Sequence, residues 1–418
     1  MGEFVVRGRR RLTGTVRVNG AKNAALPIMA ATVLATRPVI LHDVPDLRDI
    51  RVMSQVLRSL GAEVERQGTD VFVDPGTIHN YVVPAELMQE MRASIFLLGP
   101  LLARLGSAEA TQPGGCAIGQ RPIDLHLYAL KQLGARVCDE GGRTLLRTDG
   151  LVGHDVHFPF PSVGATENVM MAAATAVGET HIRNAAMEPE IVDLAQFLEK
   201  LGATVRGAGT PDIRITGNQQ LGTTEHTVIG DRVEAATFAL AVAGAGGNVV
   251  VQNCMVDHLP GFWNLLEDIG VNVEEIDAET VHIASDGAFR PHPVSISTAP
   301  YPGFATDLQP QFMSFLLQVP GVHLVTEKVF ENRLGHAAEL RRFGAQIVAD
   351  QRVALIYGGH PLYGTVVGAR DLRAGAALVI AALTAQGETV IKGREVIERG
   401  YERLDQRLRT LGAEIIAR

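Results

Sequence analysis

Lysine is scarce in this sequence of 418 residues: five, against 33 arginines. Cysteine is scarcer still. The three (Cys116, Cys138 and Cys254) are too few and too scattered for a disulfide framework or a paired-cysteine zinc site, and that usage fits a reducing cytosol. There is no GK dipeptide, hence no P-loop, and no GxGxxG following a strand, hence no dinucleotide fingerprint. HExxH and GxSxG are missing, and the 13 histidines form no metal-ligand pattern. The most apolar stretches, 235–247 and 374–383, are short and rich in Gly and Ala, well under the roughly 18 to 20 residues that cross a bilayer. The opening MGEFVVRGRRRLTGTV has no apolar signal core, and Val6 breaks the myristoylation pattern. A formal charge of −8 excludes a general nucleic-acid coat. These absences point to a soluble, cytoplasmic protein with neither membrane nor nucleic acid as partner. Hydrophobic residues at 46% and charged residues at 20% are enough for a large core.

What is present is a period. The segments LRSLGAEV, LKQLGARV, LEKLGATV, LEDIGVNV, LRRFGAQI and LRTLGAEI place glycines at 61, 134, 202, 270, 344 and 412, separated by 73, 68, 68, 74 and 68 residues. In each, Leu at i and an apolar residue at i+3 share a helix face, the glycine ends the helix in a left-handed cap, and alternating residues begin a strand. An Ala-rich segment, apolar on nearly every face, precedes each one: KNAALPIMAATVLA, RASIFLLGPLLARLG, TENVMMAAATAVG, RVEAATFALAVAGAGG, DLQPQFMSFLLQVPG and DLRAGAALVIAALTAQG. These predict buried helices. Six α/β units of about 70 residues are too many for one core and predict two domains of three units each. A solenoid is the competing architecture, but its common repeats are shorter.

Polar residues gather where the Ala-rich helices begin: Lys22 and Asn23, Arg92, Ser162 to Gly164 with Thr166 to Asn168, Arg232, Thr306 with Asp307, and Asp371 with Arg373. Helix starts present free N–H groups and favour anions. If each domain is a threefold repeat these starts collect at one end, and two facing domains would enclose an anion-binding cleft. A lysine before an almost purely apolar helix is poorly explained by solubility. Cys116 lies in QPGGCAIGQRPIDLH, a Gly- and Pro-rich loop with Arg121 five residues on, a context for a reactive thiol. Cys138 and Cys254, in strand-like contexts, read as structural. Asp124 reads equally as an acidic helix start, and Asp307 as a helix cap or as a base.

At GGCAIGQRPIDLH the sequence closely resembles the UDP-N-acetylglucosamine 1-carboxyvinyltransferases, the enolpyruvyl transferase family of peptidoglycan synthesis. NGAKNAALPI, PSVGATENVM, EPEIVDLAQFL, YPGFATDLQPQF, VFENR, DLRAGAALV and RGYERL match in order, so the resemblance spans the chain. It implies an α/β fold, a two-domain inside-out α/β barrel of six βαβαββ repeats, three per domain. The implied domains are 22–229, carrying the Cys116 loop, and 1–21 with 230–418. It implies addition of the sugar 3′-hydroxyl to C2 of phosphoenolpyruvate, protonation at C3 and loss of phosphate, with no cofactor and no metal. Asp307 is then the base, and Cys116 the acid and the target of fosfomycin. Lys22, Arg121 and Arg399 hold phosphate and carboxylate, with Arg92, Arg333 and Arg373 as further cations. Asn23 and Asp307 contact the sugar. Arg121, Pro122, Ile123, Asp124, Leu125 and His126, with Ser162, Val163 and Gly164, hold the uridine diphosphate side, with Glu331 nearby. Residues 158–161 read Phe-Pro-Phe-Pro where some relatives carry a lysine, which removes an ionic contribution to the diphosphate. The shikimate 3-phosphate enzymes share the fold but lack the cysteine loop. A non-catalytic nucleotide-sugar binder would have lost reactive residues that are present here.

Overall fold

Each of the six glycines that mark the period has a φ between 90 and 117°, so every repeat turns from helix to strand through the left-handed conformation that glycine adopts without strain. In this computed structural model, which describes residues 2–90, 92–111, 123–140, 143–217 and 220–418, that turn is preceded by the helices Arg48–Leu60, Asp124–Gln132, Pro189–Leu201, Phe262–Ile269, His336–Arg341 and Leu404–Thr410. The Ala-rich segments form the helices Lys22–Ala31, Leu98–Leu105, Val163–Ala173, Arg232–Ala245, Gln309–Leu316 and Leu372–Thr384. Ala165 through Ala173, Arg232 through Ala243 and all of Gln309 through Leu316 are buried, as helices apolar on every face must be.

One expectation needs correction. RASIFLLGPLLARL does not form a single α-helix: Arg92–Leu97 is a 3-10 turn and the α-helix begins at Leu98. Pro100 falls in the first turn of that helix, where its missing N–H leaves no hydrogen bond unmade.

The described residues separate into two compact units, one of residues 20–111 and 123–229, the other of residues 2–19 and 230–418. Each has its own hydrophobic core and three sheets. In the first unit the sheets run, in spatial order, Glu225–Thr227, Val39–His42, Asp70–Asp74, Glu63–Gln67; then Thr204–Arg206, Asp212–Thr216, Glu179–Arg183, Asp155–His157; and the three-stranded Ser107–Thr111, Arg143–Arg147, Arg136–Glu140. Each sheet contains the antiparallel hairpin that follows a glycine turn, for example Glu63–Gln67 on Asp70–Asp74. In two of them a strand from a neighbouring repeat joins in parallel: Glu225–Thr227 beside Val39–His42, and Asp155–His157 beside Glu179–Arg183. Repeats are therefore knitted by backbone hydrogen bonds as well as packing.

The second unit repeats the plan. The N-terminal strands belong to it: Leu12–Arg17 pairs in parallel with Gly247–Gln252, and Glu3–Arg7 lies between Glu388–Lys392 and Glu414–Ala417. Its three Ala-rich helices pack on one another inside the sheets. Small residues let them approach closely enough for Ser314 Oγ to donate to the carbonyl of Ala377 at 2.7 Å. Helices within and sheets without is the inside-out α/β arrangement, with three repeats in each unit.

Candidate functional site

The second unit contains a carboxylate between two buried cations. Asp307 lies in the turn before the helix Gln309–Leu316, whose cap residue is Leu308, so Asp307 is not the helix cap. Its Oδ1 accepts from Arg333 Nη2 at 2.9 Å and its Oδ2 from Arg373 Nε and Nη2, each at 3.2 Å. The two arginine side chains are 2% exposed, the aspartate 29%. Guanidinium groups this deeply buried need a charge partner, and one half-exposed carboxylate serves both. Arg333 Nε and Nη1 and Arg373 Nη1 remain buried without hydrogen-bond partners, so donors are left over for an acceptor-rich ligand.

Local structure fixes each member. Arg333 follows a loop pinned by the fully buried Glu327, which accepts from Thr298 Oγ1, Thr306 Oγ1 and the backbone N–H groups of Val329 and Phe330. Thr306 thereby ties the Asp307 turn to the Arg333 loop. Arg373 opens the helix Leu372–Thr384, whose N-cap Asp371 accepts from the N–H groups of Arg373 and Ala374. Its guanidinium rests on the Tyr401 ring, 5.3 Å from the centroid. Burial works against the Arg373 charge, but Tyr401, Asp307 and Asp231 more than offset it and its pKa is raised. Asp231 caps the helix Arg232–Ala245, and Arg232 lies over the Tyr301 ring at 5.4 Å. Arg399 is half-buried beside the helix Arg394–Ile397. Glu331 is exposed and paired with Arg352 Nη2 at 3.4 Å.

The first unit gathers another set. Lys22 is the first residue of its helix, buried, with Nζ 3.3 Å from Asp49 Oδ2; the cap residue Ala21 offers the helix start no side-chain acceptor. Asn23 is exposed beside it. Ser162 caps the helix Val163–Ala173 and accepts from the N–H of Ala165 at 3.4 Å. Gly164 sits in a tight place: a Cβ there would lie 3.1 Å from His126 Cε1 and 3.2 Å from Phe96 Cε1, so both rings would have to give by a few tenths of an ångström. Ile123 is the cap residue of the helix Asp124–Gln132, with Asp124 exposed in its first turn, Leu125 half-buried and His126 buried.

The protonation of His126 follows from Asn168. The Asn168 amide oxygen accepts from the N–H of Gly99 at 2.7 Å, and its nitrogen donates to the carbonyl of Ile95 at 2.9 Å. Its other N–H points at His126 Nδ1, 2.8 Å away. Nδ1 is therefore the acceptor and the ring proton sits on Nε2. Burial pushes the His126 pKa down to about 4, partly opposed by Asp124, so the ring is neutral at pH 7.

Cys116, Arg121 and Pro122 lie outside the described residues, as does the Arg92 side chain. Cys138 stands in the strand Arg136–Glu140, as its context suggests, but it is exposed and is not a packing residue; Cys254 is buried, which pushes its thiol up to about 12. Asp49 and Glu327 have no signal in the sequence that marks them as partners of site residues; Asn168 and Tyr401 lie in PSVGATENVM and RGYERL, but nothing there names the residue each one meets. Each meets its partner through the fold, across 27 residues for Lys22 and Asp49 and 42 for His126 and Asn168. Among the described residues no group of three or more His, Cys, Asp or Glu could hold a metal ion, and no helix is long and apolar enough to cross a membrane.

The family model described as EPSP synthase (3-phosphoshikimate 1-carboxyvinyltransferase) matches residues 6–408. UDP-N-acetylglucosamine 1-carboxyvinyltransferase 2 of Carboxydothermus hydrogenoformans is 49% identical over 416 residues, covering 99% of each chain. UDP-N-acetylglucosamine 1-carboxyvinyltransferase 1 of Caldanaerobacter subterraneus subsp. tengcongensis is 47% identical, again over 99% of each. Among solved structures, the enolpyruvyl transferase NikO from Streptomyces tendae superposes with a TM-score of 0.90 at 26% identity, covering all of this chain and 98% of that one. EPSP synthase from Acinetobacter baumannii shares the fold, with a TM-score of 0.77 at 19% identity over the full length of both chains. A match along nearly the whole chain, at close to half of its positions, places this protein in the enolpyruvyl transferase family, with the UDP-N-acetylglucosamine 1-carboxyvinyltransferases.

Proposed function

We propose that this protein transfers the enolpyruvyl group of phosphoenolpyruvate to the 3′-hydroxyl of UDP-N-acetylglucosamine, releasing phosphate, as the first committed step of peptidoglycan synthesis in the cytoplasm. The observation that carries this is the 49% identity, over 99% of the chain, to a relative named for that acceptor.

The reaction is an addition followed by an elimination. The hydroxyl oxygen bonds to C2 of phosphoenolpyruvate and its proton leaves to a base, while C3 gains a proton from an acid. The tetrahedral ketal then loses phosphate from C2 and a proton from C3, restoring the double bond. Asp307, half-exposed and held at both oxygens, is the base. Its two arginines keep unpaired donors that suit the carboxylate and phosphate of the second substrate. Lys22 and Arg399 add positive charge for the same groups, with Arg92 and Arg121 as further cations. Asn23 contacts the sugar. Ile123, Asp124, Leu125 and neutral His126, with Ser162, Val163 and Gly164 at a helix start, serve the nucleotide together with Pro122 and Glu331. Cys116 delivers the proton to C3 and is the nucleophile that fosfomycin alkylates.

Phosphate release is to be measured with phosphoenolpyruvate and each acceptor. Activity with UDP-N-acetylglucosamine and none with shikimate 3-phosphate is expected; the reverse would overturn the assignment, and activity with neither would leave a nucleotide-sugar binder. Asp307→Ala is expected to lose turnover almost completely while still binding UDP-N-acetylglucosamine by calorimetry. Substantial turnover in that variant would remove Asp307 as the base. A Cys116→Ser variant with undiminished phosphate release and unchanged fosfomycin sensitivity would remove the role of that thiol.

A further inference from the structure

A polar knot occupies the centre of the second unit, and the proposed reaction leaves it without a role. Tyr401, fully buried, is met by one side chain from each of the three central helices: Thr237, Gln311 and Arg373. Gln311 Nε2 donates to the Tyr401 hydroxyl at 2.8 Å. Thr237 Oγ1 lies 3.1 Å from the same hydroxyl and gives its own proton to the carbonyl of Val233 at 2.7 Å. Thr237 has spent its donor, so the Tyr401 proton points to Thr237, while Gln311 and the Arg373 guanidinium face the lone pairs of the phenol oxygen. Burial pushes the Tyr401 pKa up, so the phenol stays neutral. The hydroxyl thus transfers no proton to the site. It pins the plane of the ring.

That plane is the floor on which Arg373 lies, 5.3 Å from guanidinium carbon to ring centroid, while the edge of the same guanidinium grips Asp307 Oδ2 with two donors at 3.2 Å. An arginine side chain freed from such contacts samples many rotamers, and each alternative takes a donor off the carboxylate. We propose that Tyr401 is a positioning residue: oriented by Gln311 and Thr237, its ring fixes the Arg373 guanidinium, which in turn aims the Asp307 carboxylate at the acceptor hydroxyl. This rests on Asp307 being the base.

The test is steady-state kinetics with UDP-N-acetylglucosamine and phosphoenolpyruvate on folded variants, with circular dichroism and melting temperature as controls. Tyr401→Phe keeps the ring, frees its plane and removes the hydroxyl's own contact with Arg373. It is expected to lower kcat about tenfold with KM for UDP-N-acetylglucosamine within about twofold, the signature of an interaction that matters in the transition state. Tyr401→Leu, which removes the ring, is expected to lose more. Combined with Arg373→Lys, Tyr401→Phe is expected to add little further loss, because both act through one group. Gln311→Met unpins the phenol without altering Tyr401 or Arg373, and is expected to lower kcat in the same direction; it carries the test if the Tyr401 variants do not fold. A folded Tyr401→Phe with unchanged kcat, or losses that multiply with Arg373→Lys, would overturn the proposal and leave the base assignment standing. Turnover retained in Asp307→Ala would instead sink the base assignment, and this proposal with it.

Discussion

Charge at the level of single residues is arranged in pairs that each need their partner. Lys22 and Asp49 are 9% and 7% exposed at their side chains. Removing one member of such a pair leaves the other charge buried, which destabilises far more than the pair stabilises. Asp49→Ala is therefore expected to lower the unfolding free energy, measured by urea titration, and to raise KM for phosphoenolpyruvate because Lys22 loses its contact with Asp49. His126 and His336 present the opposite problem. Burial lowers both pKa values to about 4, from 6.5 in the unfolded chain. Their neutral burial is undisturbed above pH 6.5, and the stability they permit is lost as pH falls from 6.5 towards 4, since the unfolded chain then binds protons the folded one refuses. Glu167 works in the reverse sense. Burial first, and then Glu190 and Glu188, raise its pKa well above the usual value, so it disfavours folding once pH exceeds that of a free carboxyl. The comparison must therefore be made variant against parent. Between pH 7 and pH 5, His336→Gln is expected to lose less stability than the parent, by on the order of 2 kcal/mol in urea titrations. A parallel pH dependence in the two proteins would show that His336 is not the titrating group.

The repeat is the unit of construction among the elements, and it was legible because its physics is local. A left-handed glycine after an amphipathic helix and before alternating residues states helix, turn and strand within eight positions, and all six copies have the required φ. Gly270 (φ 107°) is expected to tolerate alanine poorly for this reason: Gly270→Ala has space around its Cβ, with Arg290 Cγ at 3.4 Å, yet should be destabilised by about 1 kcal/mol through backbone strain alone. A melting temperature equal to that of the parent would count against strain as the cause. The sheets were less legible. Nothing in the sequence of Glu225–Thr227 says that it lies beside Val39–His42, because parallel pairing depends on the path of the chain and not on composition. The same limit applied to the site. Lys22 stands out as one of five lysines, and Asp307 and Tyr401 lie in motifs shared with the family, but Asp49 is an ordinary residue, and nothing pairs Tyr401 with Arg373, until folding brings them together. In RASIFLLGPLLARL the apolar residues run on without a break across the change from 3-10 to α-helix, so periodicity alone does not place the start of the α-helix.

The two units of the whole molecule are unequal in how the chain supplies them. The described strands of the first unit's sheets all come from within residues 20–229, whereas two of the three sheets in the second unit need strands from residues 3–17. A fragment of residues 20–229 is thus expected to fold by itself, with dispersed amide resonances and cooperative urea unfolding. A fragment of residues 230–418 is expected to remain poorly ordered until a peptide of residues 2–19 is added. A well-folded 230–418 fragment without that peptide would show that the N-terminal strands are dispensable. The arrangement also imposes an order on biosynthesis. Residues 3–7 leave the ribosome before either of their neighbours, 388–392 and 414–417, which are made more than 380 residues later. At translation rates of about 5 to 20 residues per second, that strand waits some tens of seconds with both hydrogen-bonding edges open while the first unit is made. The arginines at 7, 9, 10 and 11 keep this waiting segment charged, which guards it against pairing with another nascent chain before its own partners arrive.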